Sequence, residues 1–299
     1  MIPIDDNAWL SGVIADLPSP FDADDSVDLE SFTHLCERQI AAGATALLVG
    51  ETAGEMATLT ADEHDALVRA AVRTSRGRAK IVSGAGSNGT SQAIDLTRRA
   101  AAAGADAVMS VVPYYNKPTQ RGIEAHFRAV ADATALPIIL HDNPSCCARG
   151  LADETLLNLC KHPRLIGLRD SGGDTMRPLR LRTQVPAGFR LLAGDDATAL
   201  DYLVHGGDGL VSAVTNVVPM LQTGMFKAFR RGDLARAAAL MARSMPLGSA
   251  IALDGSAALL KYALALCGLC SPRVRLPIAE LHSQQKAAVT EATAVALRR

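Results

Sequence analysis

Ala46-Leu-Leu-Val-Gly-Glu-Thr-Ala-Gly-Glu-Met-Ala-Thr-Leu-Thr-Ala-Asp-Glu63 contains one complete unit of the fold. Its opening run, Ala46–Gly50, is short, apolar at every position and stopped by glycine, as a strand buried on both faces is. Thr60-Ala-Asp-Glu63 has the spacing of a capping box, which opens a helix. A loop of small residues joins the two. Strand, loop and helix in this order make half of a parallel crossover, so the fold depends on how often the pattern returns.

It returns along most of the chain. Further apolar runs closed by Gly, Pro, Asn or Asp are Gly12–Pro18, Lys80–Gly84, Ala107–Pro113, Pro137–His141, Leu165–Arg169, Arg190–Ala193 and Gly209–Ala213. Between them lie segments of helical period. Asp28–Ala42 puts Leu29, Phe32, Leu35, Cys36 and Ile40 on one face. Thr90–Ala103 stops at Gly104, an expected C′ glycine. Gln120–Thr134, Ala152–His162, Thr175–Gln184 and Ala197–His205 follow the same pattern. Strict alternation implies a parallel sheet with right-handed crossovers. Eight units in about 220 residues predict an α/β chain closed as a (β/α)8 TIM barrel, with an open doubly wound sheet as the alternative. After the eighth strand only helices are predicted, over Val218–Arg231, Leu234–Ile251, Ala257–Leu266 and Ile278–Arg298. The expected division is a barrel over residues 1–232 and a helical C-terminal extension over 233–299.

The 299 residues are 48% hydrophobic, enough for one large core, and carry a formal net charge of −1. That balance lacks the basic footprint of a nucleic-acid binder. Met1–Leu10 lacks the basic and long apolar regions of a secretory signal. Runs such as Ala46–Val49 and Pro137–Leu140 fall far short of the roughly 20 residues a membrane span needs. A cytoplasmic protein with neither nucleic-acid nor membrane partners is expected. Its six cysteines do not make a disulfide framework in a chain this long. Cys36, Cys160, Cys267 and Cys270 read as buried thiols. Cys267-Gly-Leu-Cys270 lacks a second pair or nearby histidines, so no metal and no cofactor is expected.

In such a barrel, reacting groups project from the C-terminal strand ends and the loops after them. That rule selects Pro18–Phe21, Glu51–Glu55, Ala85–Asn88, Tyr114–Asn116, His141–Cys147, Arg169–Ser171, Gly194–Asp196 and Val214–Asn216. The Glu51–Glu55 loop reads either as a carboxylate cradle, with Thr52 and close backbone approach at Gly54, or as a plain turn. Tyr114 and Tyr115 are proton-relay candidates or rim packing. His141 is an acid/base candidate or a hydrogen-bonded structural residue. Cys146 is a nucleophile only if its pKa is lowered, and vicinal Cys147 makes an inert pair the commoner reading. Arg169 either clamps a substrate carboxylate or pairs with Asp170, Glu55 or Glu51.

At these strand ends the chain resembles the dihydrodipicolinate synthase / N-acetylneuraminate lyase family, of class I aldolase type, over roughly residues 12–295. The carriers are Thr52-Ala-Gly-Glu55-Met-Ala-Thr-Leu with Asp62-Glu-His64, Gly84-Ala-Gly86, Pro113-Tyr-Tyr-Asn-Lys-Pro118, Asn143-Pro-Ser145, Gly167-Leu-Arg-Asp170, Gly194-Asp-Asp196 and Gly206-Gly-Asp-Gly209. The resemblance implies a homotetramer built as a dimer of dimers, with Tyr114 and Tyr115 near the dimer interface, acting on pyruvate or a related 2-keto acid. In that family a lysine at the sixth strand end forms a Schiff base, a fifth-strand tyrosine moves protons, and a Thr-Thr-Gly-Glu loop binds the carboxylate.

Matched by position, this sequence departs from the pattern at the pocket. Arg169 stands at the lysine and His141 at the tyrosine. Ala53 replaces the second threonine after Thr52, and Glu51 stands where glycine or serine is usual. Cys146 falls where the synthases have a substrate-binding arginine. Gly194 and Val211 fit the small and aliphatic pocket-floor positions. Arginine offers no free amine to attack a carbonyl. Among the lysines only Lys117, past Tyr115, is a candidate substitute.

The leading expectation is a lyase handling a small 2-keto or hydroxy carboxylate non-covalently. Arg169 would hold the substrate, and His141 with Tyr115 would move the proton. The alternatives are a non-catalytic metabolite-binding relative, acting as sensor or partner subunit, and an ordinary pyruvate-dependent synthase. Glu51 and Cys146, in place of neutral and cationic groups, are expected to disfavour a second, dianionic substrate.

Overall fold

A computed structural model describes residues 7–252 and 256–298. The N-terminal segment read above for a secretory signal lies partly outside them, at residues 1–6. Eight parallel strands close into a barrel in chain order: β1 Val13–Asp16, β2 Ala46–Val49, β3 Lys80–Gly84, β4 Ala107–Val111, β5 Ile138–Asp142, β6 Leu165–Asp170, β7 Arg190–Ala193 and β8 Gly209–Ser212. β1 pairs with both β2 and β8, which closes the ring. The open-sheet alternative is therefore excluded. Each predicted run supplies its strand with ends shifted by a residue or two.

The helices between and after the strands are α1 Leu29–Ala42, α2 Ala61–Ser75, α3 Thr90–Ala103, α4 Gln120–Asp132, α5 Pro144–Cys147, α6 Asp153–Leu159, α7 Arg177–Leu181, α8 Ala199–Val204, α9 Pro219–Arg230, α10 Leu234–Ala252, α11 Ser256–Leu266 and α12 Ser283–Leu297. The Thr60–Glu63 capping box forms with both of its reciprocal bonds. Gly104 caps α3 at φ 93°, a left-handed conformation glycine adopts without strain. The last helix starts later than its periodicity predicts. Ile278–Leu281 is not helical, and His282 caps α12 through the backbone N–H of Gln285. The short α5 and the 3-10 turn Met56–Thr58 carry no periodic signal and were not expected. Among the described residues, no helix is long and apolar enough to cross a membrane, and no side-chain cluster could hold a metal.

Alternate strand residues point inward. Ile14, Leu48, Val82, Met109, Ile139, Leu192 and Val211 fill the barrel interior, while their neighbours pack outward under the helices. Two residues further along, the same inward side carries Asp16, His141 and Gly194 to the mouth. β6 reaches that register through a bulge. Leu165 pairs with Ile138 and Gly167 with Ile139, so Ile166 is an extra residue. The insertion swaps the faces of the strand beyond it and brings Arg169 beside His141 and Leu192.

The C-terminal helices are tied to the mouth. α10 packs on α9 and α12. Lys261 of α11 is fully buried and forms an ion pair with Glu55 of the β2 loop. Lys261 Nζ also donates to the Arg273 carbonyl at 2.9 Å. Arg275 donates to Glu63 and to the Thr58 carbonyl. Lys261 Nζ and the Arg275 guanidinium lie 3.8 and 4.2 Å from the centre of the Phe21 ring.

Candidate active site

Arg169 reaches across the barrel rather than up into solvent. Its Nη1 lies 2.9 Å from Asp16 Oδ2 at the end of β1 and 3.1 Å from Glu51 Oε2 after β2. Of the pairings left open by the sequence, the one with Glu51 forms. Asp170 instead meets Arg177 at 3.3 Å, and Glu55 meets Lys261. All three members of the Asp16–Arg169–Glu51 cluster are buried. Burial works against the Arg169 charge, but Asp16 and Glu51 more than offset it and raise its pKa above the ordinary value. Burial pushes Asp16 up to about 7, against the pull of Arg169 and with the help of the Glu51 charge.

Glu51 is the hub. Its Oε2 also accepts from the backbone N–H and the hydroxyl of Thr52, each at 2.5 Å. Its Oε1 lies 2.8 Å from His141 Nδ1. Burial alone would raise the Glu51 pKa, but His141, Arg169 and Thr52 together hold it far below the usual carboxylate range. His141 is sealed at 0% exposure. Its pKa is lowered by burial, and by Arg169, against the upward pull of Glu51. It is therefore a neutral imidazole whose Nδ1–H donates to Glu51, which leaves Nε2 as an acceptor. Ser171 Oγ, 3.2 Å from Nε2, is placed to donate to it.

The strand ends are braced from outside. Arg177 Nη1 lies 2.7 Å from Asp142 Oδ2 and Arg177 Nε 2.8 Å from Asp153 Oδ1. Asp142 also accepts from the Leu151 N–H at 3.0 Å. Asp142 and Asp170 follow His141 and Arg169 directly, so this cluster fixes the backbone that aims both inner side chains.

Two adjoining cavities open at the mouth. One, of about 420 Å³, is lined by Asp16, Ala53, Arg169, Ser171, Gly194 and Asp196 among others. Its neighbour, of about 520 Å³, extends past Glu51 and His64 to Leu96 and Tyr114. Thr52, Asn143, Cys146 and Ile278 border both. Asp196 accepts from Ser212 and from the N–H groups of Ala213 (2.9 Å) and Val214 (3.1 Å). Desolvation raises its pKa against those bonds.

The predicted residues divide accordingly. Arg169, Thr52, Ala53, Cys146 and Gly194 line the smaller cavity, and Glu51 the larger. His141 lies directly behind the surface. Gly54 sits in the loop, its carbonyl accepting from Ser19 Oγ at 2.6 Å. Val211 belongs to the closed interior one layer below, and Ala213 borders the cavity in its place. Tyr115 borders neither cavity of its own chain; it has φ 70° and is 88% exposed. Lys117 borders neither cavity, nor does any other lysine of the described residues. Cys146 is exposed, while burial pushes the Cys147 thiol up to about 12, which keeps it protonated.

Asp16, Ser171 and Asp196 were not singled out from the sequence. Asp16 did have a signal, as the one charged residue inside the run Gly12–Pro18. Ser171 and Asp196 fell within stretches chosen by the strand-end rule, but nothing local distinguished them from their neighbours.

A closed (β/α)8 barrel with ionisable groups gathered at the C-terminal strand ends defines the class: a TIM-barrel protein with a charged pocket at its mouth. Comparison with known proteins gives the family. Residues 9–296 match the Dihydrodipicolinate synthetase family, and the chain belongs to it. It is 38% identical, over 96% of its length and 97% of the relative's, to the 4-hydroxy-tetrahydrodipicolinate synthase of Gluconobacter oxydans (strain 621H). The 4-hydroxy-tetrahydrodipicolinate synthase structure from Methylacidiphilum fumariolicum SolV superposes with TM-score 0.93 at 33% identity, covering 95% of each chain. The chloride-inhibited dihydrodipicolinate synthase of Acinetobacter baumannii complexed with pyruvate superposes with TM-score 0.93 at 31% identity, covering 96% of this chain and 99% of that one.

Proposed function

We propose that this protein is an enzyme of its lyase family that handles a small carbonyl compound, a 2-keto or hydroxy acid, without forming an imine. The observation that carries the reading is Arg169 at the sixth strand end, bordering a cavity that no lysine of the described residues lines. A guanidinium cannot condense with a ketone, but it can stabilise negative charge that develops on a substrate oxygen. Both ion pairs of Arg169 use Nη1, and Nη2 makes no hydrogen bond among the described residues. Nη2 is the donor left for a substrate oxygen. His141 moves the proton, and because it is sealed, it acts through Ser171. Asp16, Asp195 and Asp196 around the cavity, with Glu51 behind, disfavour a dianion.

The pyruvate bound by the Acinetobacter baumannii relative makes a small keto acid the first compound to test. Incubation with pyruvate and borohydride, read by intact mass, is expected to leave the protein unmodified. A pyruvate-dependent mass increase would overturn the reading and restore an ordinary pyruvate-dependent synthase. Thermal shift against 2-keto and hydroxy acids is expected to show stabilisation that Arg169→Ala abolishes.

One observation favours a second reading, a metabolite-binding relative without turnover. The Thr52 donors and Arg169 Nη1 already hold the carboxylate of Glu51, so the anion cradle is filled from within. Ligand binding without product in a turnover assay selects that reading. By likeness to the family we further propose a cytoplasmic homotetramer with Tyr114 and Tyr115 at the dimer interface. We also propose a barrel unit over residues 1–232 and a helical extension over 233–299.

A further inference from the structure

We propose that Ser171 is an activated nucleophile, and that the smaller cavity carries an acyl-transfer activity, hydrolysing small uncharged esters or thioesters. The hydroxyl, imidazole and carboxylate of Ser171, His141 and Glu51 lie in series. Ser171 Oγ is 3.2 Å from His141 Nε2, and His141 Nδ1 is 2.8 Å from Glu51 Oε1. This is the connectivity of serine–histidine–acid triads on unrelated folds, which are known by geometry and roles rather than by sequence order. The three residues come from the ends of β6, β5 and β2, so the barrel brings together groups far apart in the chain.

Each member has the surroundings its role needs. Glu51 is buried and fixed by Thr52 and Arg169, so it can orient the ring and hold the tautomer. His141 is buried behind Ser171, with its Nε2 facing the hydroxyl and the cavity beyond it. Ser171 is half-buried and borders the cavity of about 420 Å³. Gly194 makes room for the hydroxyl, since a Cβ there would stand 2.2 Å from Ser171 Oγ. Arg169 borders the same cavity and supplies positive charge for a developing oxyanion.

The reaction balances without a cofactor. Ser171 Oγ adds to the acyl carbonyl carbon as its proton passes to His141 Nε2. The bond from that carbon to the leaving oxygen or sulfur breaks as Nε2 returns the proton to the departing alcohol or thiol. In the acyl form water takes the place beside Nε2 that the free hydroxyl held; it adds to the acyl carbon as Nε2 accepts its proton, and Nε2 returns that proton to Ser171 Oγ as the acyl–serine bond breaks and the acid leaves. Neither the imine-free reading nor the keto-acid substrate is required, and borohydride trapping is silent on this activity.

The test is labelling of the full chain with an uncharged alkyl fluorophosphonate, read by intact mass and peptide mapping, beside hydrolysis of p-nitrophenyl acetate. One phosphonyl group on Ser171 is expected, together with ester turnover that stops on labelling. Ser171→Ala should lose both. His141→Gln should slow labelling by at least about a hundredfold, with melting temperature and far-UV spectrum as controls for folding. Folded wild-type protein that takes no label, labelling at another residue, or labelling indifferent to His141→Gln overturns the proposal. Gly194→Ala, which places a methyl on the hydroxyl's position, provides a second check and is expected to block labelling at Ser171.

Discussion

Asp16 Oδ2 stands 2.9 Å from Arg169 Nη1, which joins the ends of the first and sixth strands across the barrel mouth. Burial gives Asp16 a folded pKa of about 7 against an ordinary 3.8. A carboxyl raised on folding contributes stability that is fully present below its unfolded value. That contribution fades as pH rises toward the folded value. The stability of wild type relative to Asp16→Asn should therefore fall between about pH 4 and pH 7. Thermal unfolding of both proteins across that range checks this, and a constant difference would show that Asp16 titrates normally.

Placing a lysine at position 169 alone should not create imine chemistry. In Arg169→Lys the new ammonium faces Asp16 and Glu51, which favour its protonated, non-nucleophilic form. Adding Glu51→Ser removes one of these charges and the hub that organises them. With pyruvate and borohydride, the double variant is expected to trap about tenfold more adduct than Arg169→Lys. Equal trapping would mean that Glu51 does not govern the position.

The Lys261–Glu55 pair predicts a stability effect remote from chemistry. Both residues are buried, so Lys261→Met leaves a carboxylate without its counter-charge. The loss should be about 3–5 kcal/mol in urea denaturation. Lys261→Met with Glu55→Gln removes both charges and should recover part of it. Recovery fails if the lysine matters mainly through its packing on Phe21.

His126 provides an acid-side test. Its Nδ1 lies 3.0 Å from Thr90 Oγ1, and burial lowers its pKa to about 4. A histidine kept neutral by folding contributes stability that is complete above its ordinary pKa of 6.5 and is lost as pH falls toward 4. His126→Gln should flatten the stability profile over that window. His141, lowered in the same direction, retains part of the slope.

How much of this was legible in the sequence depends on the range of the signal. Runs such as Ala46–Gly50 declare buried strands because burial on both faces removes polar residues from every position. The Thr60 capping box and Gly104 mark helix ends through local chemistry that tertiary contacts do not override. His141 and Arg169 were found because the strand-end rule is positional. The path of Arg169 to Asp16 was not, because it depends on the face from which the arginine leaves its strand. That face is set by the Ile166 bulge, which has no periodic trace. Tyr115 lies past its strand end as expected and is exposed in the single chain, as a residue reaching toward a partner subunit would be. Ser171 acquires its meaning only when β5 and β6 lie side by side.

The two cations on Phe21 bear on how the chain matures as it is made. Lys261 and Arg275 belong to the last seventh of the polypeptide, yet they secure Glu55, Glu63 and the loop that carries Thr52. Synthesis runs from the N-terminus, so all eight strands are available before either residue emerges. A chain stopped before residue 257 would carry all eight strands without the two cations that hold Glu55 and Glu63 in place.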